Sequence, residues 1–188
     1  MRAMQRLSWV LFLLASCSGP EANTRSKDPY ERYLGVREIG QAGDVASEPE
    51  LVRLLEDPHY LVVTGVLESM AEIGRKEYLP YALPRLKGGH PMVRGQACAT
   101  VAMVGGADGL EPVLAVLKED PDVGVRRAAV KAVAGRYGTL PRTKEALVET
   151  VGERDASLSL LAHEKLRELT GRTDVPRSKE AWAQAVRP

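Results

Sequence analysis

Residues able to do chemistry are few in this chain. Three histidines (His59, His90 and His163) and two cysteines (Cys17 and Cys98) are spread over 188 residues. His163 stands beside Glu164, a pair of the kind that ligates transition metals, but a metal needs three or four convergent ligands. Cys98 lies in the small-residue run Gln96-Ala97-Cys98-Ala99-Thr100. A lone thiol there builds no zinc or iron–sulfur site and is expected to pack as a small buried apolar group. Neither Gly88-Gly89 nor Gly105-Gly106 leads into the Lys-Ser/Thr of a phosphate-cradling loop. There is no Gly-x-Ser-x-Gly and no histidine spaced to activate a serine. Asp57, Asp120 and Asp155 recur as turn and capping residues, not as a carboxylate pair. No metal, no cofactor and no catalysis is therefore expected. An enzyme would have to bring three ionisable side chains together in one pocket.

What remains is surface chemistry. Tyr78, Tyr81 and Arg85 are spaced i, i+3 and i+7, which sets them on one side of a helix. Glu111, Ala115 and Lys118 hold the matching side of the next such helix. Tyrosine and arginine are the types that anchor protein interfaces, so Tyr78, Tyr81, Arg85, Glu111 and Lys118 are the candidate partner-binding residues. Arg94 and Arg126 are expected to pair with aspartates of neighbouring turns and hold the elements in register.

The elements that position these residues repeat. Arg32, Val63, Arg94, Arg126 and Ser159 stand at intervals of 31, 31, 32 and 33 residues. Just before them stand Glu31, Val62, Val93, Val125 and Leu158, and four residues after each of these come Gly35, Val66, Ala97, Ala129 and Ala162. Four further on come Ile39, Met70, Val101, Val133 and Leu166. A series at i, i+4, i+8 is the buried stripe of an amphipathic helix. Gly43, Gly74 and Gly105 follow the first three helices and predict left-handed caps; the fourth is expected to end near Gly138. A second, leucine-rich helix follows each glycine, and the turns read Asp28-Pro29, Asp57-Pro58, Gly89-His90-Pro91 and Asp120-Pro121. Aspartate before proline suits a helix start. Pro84, inside the second helix of the second unit, predicts a kink or an end there.

Asp-Pro, then Val-Arg, then alanine-rich spacing, then glycine and a leucine-rich second helix resembles the HEAT-repeat family in its short bacterial form. The third and fourth units match best. The first and second depart at Glu31 and Val63, and the fifth has Ser159 for arginine. The resemblance implies an all-α fold: a right-handed α-solenoid of about four to five HEAT-like helical hairpins over residues 28–171. A C-terminal cap would occupy 172–188, with Trp182 packed over the end of the stack. Some HEAT-repeat hydroxylases hold two irons with several His-Glu pairs. The positions matching His163-Glu164 here are Leu67-Glu68, Cys98-Ala99 and Val130-Lys131. HEAT-like enzymes that attach bilin chromophores act on cytoplasmic pigment proteins. Those that excise alkylated bases need a basic groove, and 26 Lys and Arg against 25 Asp and Glu supply no such field.

The amino-terminal segment bears on compartment. Arg2 and Arg6 precede the apolar stretch Leu7 to Leu14, too short to span a bilayer, which takes roughly 20 residues. The ending Leu14-Ala15-Ser16-Cys17 resembles the lipobox of bacterial lipoproteins. That family is cut before the cysteine, whose sulfur and new amino group carry acyl chains. The resemblance implies a signal peptide at 1–16, lipidation of Cys17, and a flexible tether at 17–27. Attachment to the bacterial cell envelope follows, with Ser18 favouring the outer membrane facing the periplasm. The only phenylalanine, Phe12, leaves with the signal, so the core must be aliphatic. The expected role is a membrane-anchored scaffold for an unidentified protein partner, with no nucleic acid.

Overall fold

The structure, a computed structural model, describes residues 23–187. Cys17, the signal peptide and the start of the tether lie outside the described residues. Every regular element among the described residues is helical, so the all-α class holds. The chain divides into two compact units, one through Ile73 and one from Gly74.

The first unit contains α1 (Pro29–Ala42), α2 (Glu48–Leu54) and α3 (Tyr60–Ile73). Asp28 caps α1, accepting from the Tyr30 amide at 2.8 Å, and Pro29 fills the first turn, where no amide bond is lost. α1 packs on α3 closely because both offer small residues. A Cβ on Gly40 would fall 2.6 Å from the Ser69 Cβ, and the Ser69 hydroxyl donates to the Val36 carbonyl at 2.8 Å. Of the tether expected at 17–27, the described end is docked: Thr24 is buried and its hydroxyl donates to Glu50 at 2.6 Å. Glu50 also holds Arg53, and these bonds, the Arg53 one foremost, lower its carboxyl to a pKa of about 2.

The second unit contains α4 (Leu79–Ala82), α5 (Pro91–Val104), α6 (Leu110–Glu119), α7 (Val123–Tyr137), α8 (Pro141–Val151), α9 (Ala156–Thr170) and α10 (Lys179–Ala185). The stripe read from the repeat is the core: Val93, Ala97 and Val101, then Val125, Ala129 and Val133, then Leu158, Ala162 and Leu166 are buried. Each fully buried Val or Leu contributes about 1.5–3 kcal/mol. Cys98 is buried among them, and burial pushes its thiol up to about 12. A thiol held protonated is a packing group, as its small-residue setting implies.

Two details differ from the sequence expectation. Gly43 and Gly74 take the left-handed cap, but after α5 that conformation falls on Gly106 (φ 52°) while Gly105 stays right-handed. A Cβ on Gly105 would lie 2.5 Å from the Val101 carbonyl oxygen and 2.8 Å from the Gly109 Cα, so that glycine serves close approach. The proline turns also divide their labour. Asp28 and His90 cap at the residue before proline, His90 through its Nδ1, which accepts from the Met92 amide at 3.2 Å. α3 is preceded by His59, whose Nδ1 accepts from the Leu61 amide, and α7 is capped by Asp122, which accepts from Val125 at 3.0 Å. Asp57 and Asp120 sit earlier and are used differently, as shown below.

Pro80 and Pro84 reshape the second helix of the second repeat. α4 is four residues long, flanked by 3₁₀ turns at Lys76–Tyr78 and Leu83–Leu86. Pro84 has no amide to continue the α ladder, so the helix tightens there, as expected. At the carboxyl end, Gly171 (φ 70°) closes α9 and Ser178 caps α10. Trp182 is fully buried where α10 meets α8 and α9, and its indole N–H donates to His163 Nδ1 at 2.8 Å.

Candidate functional site

Arginine clamps set the geometry of the second unit. Arg94, in the first turn of α5, grips Asp120 through two parallel bonds of 2.7 and 3.0 Å, and its third nitrogen donates to the Gly89 carbonyl at 2.9 Å. Asp120 in turn accepts from the Asp122 amide at 2.9 Å. Burial by itself would raise the Asp120 carboxyl; Arg94 and that amide hold it below the ordinary carboxylate range. The first unit repeats the device, with Arg32 on Asp57 at 2.7 and 2.9 Å and on the Ser26 carbonyl at 2.9 Å. Arg126 departs from the expected aspartate: it donates to Glu153 at 2.7 Å, and Asp155, like Asp122, caps the following helix. Where Val63 replaces arginine, the turn before α5 carries Gly88, Gly89 and His90 and no aspartate.

Beside the Arg94 clamp the surface opens into a groove of about 730 Å³, within the usual range for ligand pockets. The 3₁₀ turn Leu83–Leu86 forms one wall and α6 the other. Leu83, Leu86, Pro112, Ala115, Val116 and Pro121 give it an apolar lining, and Lys87, Arg94, Glu119 and Asp120 add charge. The cause is local. A full-length helix in place of α4 would bring its own side chains against α6, but the two prolines shorten it. Ala115 is exposed and too small to fill the space.

The groove was not legible as a site, and the residues expected to form one fare unequally. Tyr78 is fully buried, with the Arg75 guanidinium 5.9 Å from its ring centre. This corrects its assignment as a surface anchor: the 3₁₀ turn rotates it inward, and the i, i+3, i+7 face of an unbroken helix does not exist. Tyr81 is 37% exposed and Arg85 half-buried, and neither lines the groove. Glu111 and Lys118 are exposed on α6, on either side of Ala115 in sequence, and Glu111 pairs with Arg142 at 3.2 Å. Both of those charges are more than half exposed, so the pair contributes little. Among the described residues no three His, Cys, Asp or Glu side chains gather as metal ligands. His59 and His90 accept from backbone amides at helix starts, and His163 serves Trp182.

The model of HEAT repeats matches residues 21–89 and 79–167. No curated protein matches the chain. Among solved structures, the complex of CpcE and CpcF of phycocyanin lyase from Nostoc sp. PCC7120 is similar at TM-score 0.65 and 16% identity, covering 81% of this chain and 98% of that one. An engineered protein is similar at TM-score 0.55 and 16% identity, covering 80% and 78%. The first match corrects the expectation that the chain is no enzyme. Its fold is shared with a lyase complex, so a stack of helical hairpins is no argument against catalysis. The groove is lined by four ionisable side chains, two of which, Arg94 and Asp120, are bonded to each other.

Proposed function

The chain belongs to the HEAT-repeat family, and from that premise we propose that it is a membrane-anchored protein-binding subunit of a bacterial cell envelope. Its partner would sit in the groove between Leu83–Leu86 and α6. The observation that carries this reading is the groove itself: an open apolar trough between a 3₁₀ turn and a helix, flanked by charge that can fix a partner's register. Glu111 and Lys118 extend the face along α6 from Ala115. The assembly of CpcE with CpcF is a precedent for a fold of this kind working as one chain of a complex. Anchoring rests on the lipobox at Cys17, and more than one acyl chain there gives durable attachment where one would be marginal. No helix among the described residues is long and apolar enough to cross a membrane.

Ala115→Arg fills the groove from an exposed position and leaves the core alone. It is expected to weaken co-purification of the partner at least tenfold at unchanged thermal stability, while Cys17→Ala releases an otherwise intact complex from membranes. Undiminished co-purification with Ala115→Arg would sink the groove, and membrane-bound Cys17→Ala would sink the anchor.

A second reading, lyase-type chemistry in the same groove, has the shared fold and the four ionisable groups behind it. Lys87 and Glu119 are the exposed charges free of the Arg94–Asp120 clamp's geometry. Glu119→Gln would remove turnover and leave partner binding intact under that reading.

A further inference from the structure

Trp182 has one bond that acidity can break. Its indole N–H is a donor only, it is fully buried, and its acceptor is Nδ1 of His163 at 2.8 Å. The imidazole must therefore be neutral, with its proton on Nε2. Protonation would place a hydrogen on Nδ1 and set donor against donor. The rings meet edge to face, with centres 5.7 Å apart.

Little else holds the segment. α10 has seven residues, far below the length at which a helix persists alone. Its Lys179–Glu149 ion pair is solvent-exposed, with side-chain exposures of 43% and 68%, and is worth little. The preceding loop contributes buried Val175. Trp182 and its acceptor thus carry the docking.

We propose that the His163–Trp182 pair is an acid-sensitive latch that keeps α10 docked on α8 and α9. The groups acting on His163 are Arg167 and Glu164 on α9 and Arg177 in the loop before α10. Burial first, then the two arginines, hold its pKa below the ordinary 6.5, against a smaller opposing pull from Glu164. The undocked state, with the imidazole in water, therefore binds the proton more readily. Docking is at full strength above pH 6.5 and weakens as pH falls from there through the lowered value. Release would bare Trp182 and the part of α8 on which α10 packs, a surface suited to a second apolar partner.

Hydrogen exchange over residues 172–187 of the full chain, corrected for intrinsic rate, tests this between pH 7.5 and 5.0. At least a tenfold loss of protection in α10 is expected, with α7 still protected. His163→Asn offers an acceptor oxygen that does not titrate, and should hold protection at both pH values. Trp182→Phe removes the donor, and its protection, whatever its level, should not change with pH. Unchanged protection in the native chain, or the same acid loss in either variant, overturns the latch.

Discussion

Replacing Tyr78 by alanine is expected to lower the stability of the chain by about 3–5 kcal/mol, the range for removing a large buried aromatic. The ring is fully buried beside the 3₁₀ turn that leads into α4, with the Arg75 guanidinium above it. Two prolines in the next six residues leave the segment few helical hydrogen bonds with which to hold its place. Side-chain packing must do that instead, so the cavity cannot be closed by a helix settling inward. The position of the Leu83–Leu86 wall, and with it the groove, depends on this anchor. Urea unfolding should show the midpoint fall, and partner binding should fail together with stability. Ala115→Arg, by contrast, should separate binding from stability. A Tyr78→Ala chain of normal stability that lost its partner would mean that Tyr78 is a surface anchor after all.

Replacing Arg94 by alanine is expected to cost about 3 kcal/mol, the lower end for removing one member of a largely buried ion pair. The side chains of Arg94 and Asp120 are 11% and 5% exposed. Without the guanidinium, Asp120 keeps a single amide bond and the Gly89 carbonyl loses its donor. Arg94→Lys should recover only part of the loss, since one ammonium cannot make two parallel bonds. The acid dependence follows from the lowered Asp120 carboxyl. The clamp's contribution is complete above the ordinary carboxylate pKa of 3.8 and disappears as pH falls through the lower folded value. In Arg94→Ala that acid-labile portion should shrink, which denaturation curves at pH 7 and pH 3 would reveal. The same slope in both chains would mean the clamp is not the source.

The first helix of every repeat was legible because its period is a packing requirement. Val93, Ala97 and Val101 can be buried together only on a helix, and they are. The Arg94–Asp120 and Arg32–Asp57 pairs were legible for a similar reason, since each arginine is followed by an aspartate in the next inter-repeat turn. Glu153 as the acceptor of Arg126 was not, because a glutamate stands where the other clamps carry aspartate, while Asp155, like Asp122, caps the following helix. Tyr78 was misread because a spacing argument presumes an unbroken helix, although Pro80 and Pro84 were in plain view. The groove was hidden for a deeper reason. It is a place where side chains are missing, made by a shortened helix facing Ala115, and a pattern of residues present does not reveal volume left empty. The expectation of no catalysis failed on a different ground: a missing motif does not exclude an active site, and the fold is shared with a lyase complex.

The central claim is that the groove between Leu83–Leu86 and α6 receives a protein partner. Site-specific photocrosslinking in intact cells tests it most directly, with the reactive residue at Ala115 in the groove and, in parallel, at Glu145 on α8 outside it. One discrete adduct from Ala115, absent from Glu145, is the expected result. Adducts of equal identity and yield from both positions, or none from Ala115 in cells where the protein is abundant, would contradict it.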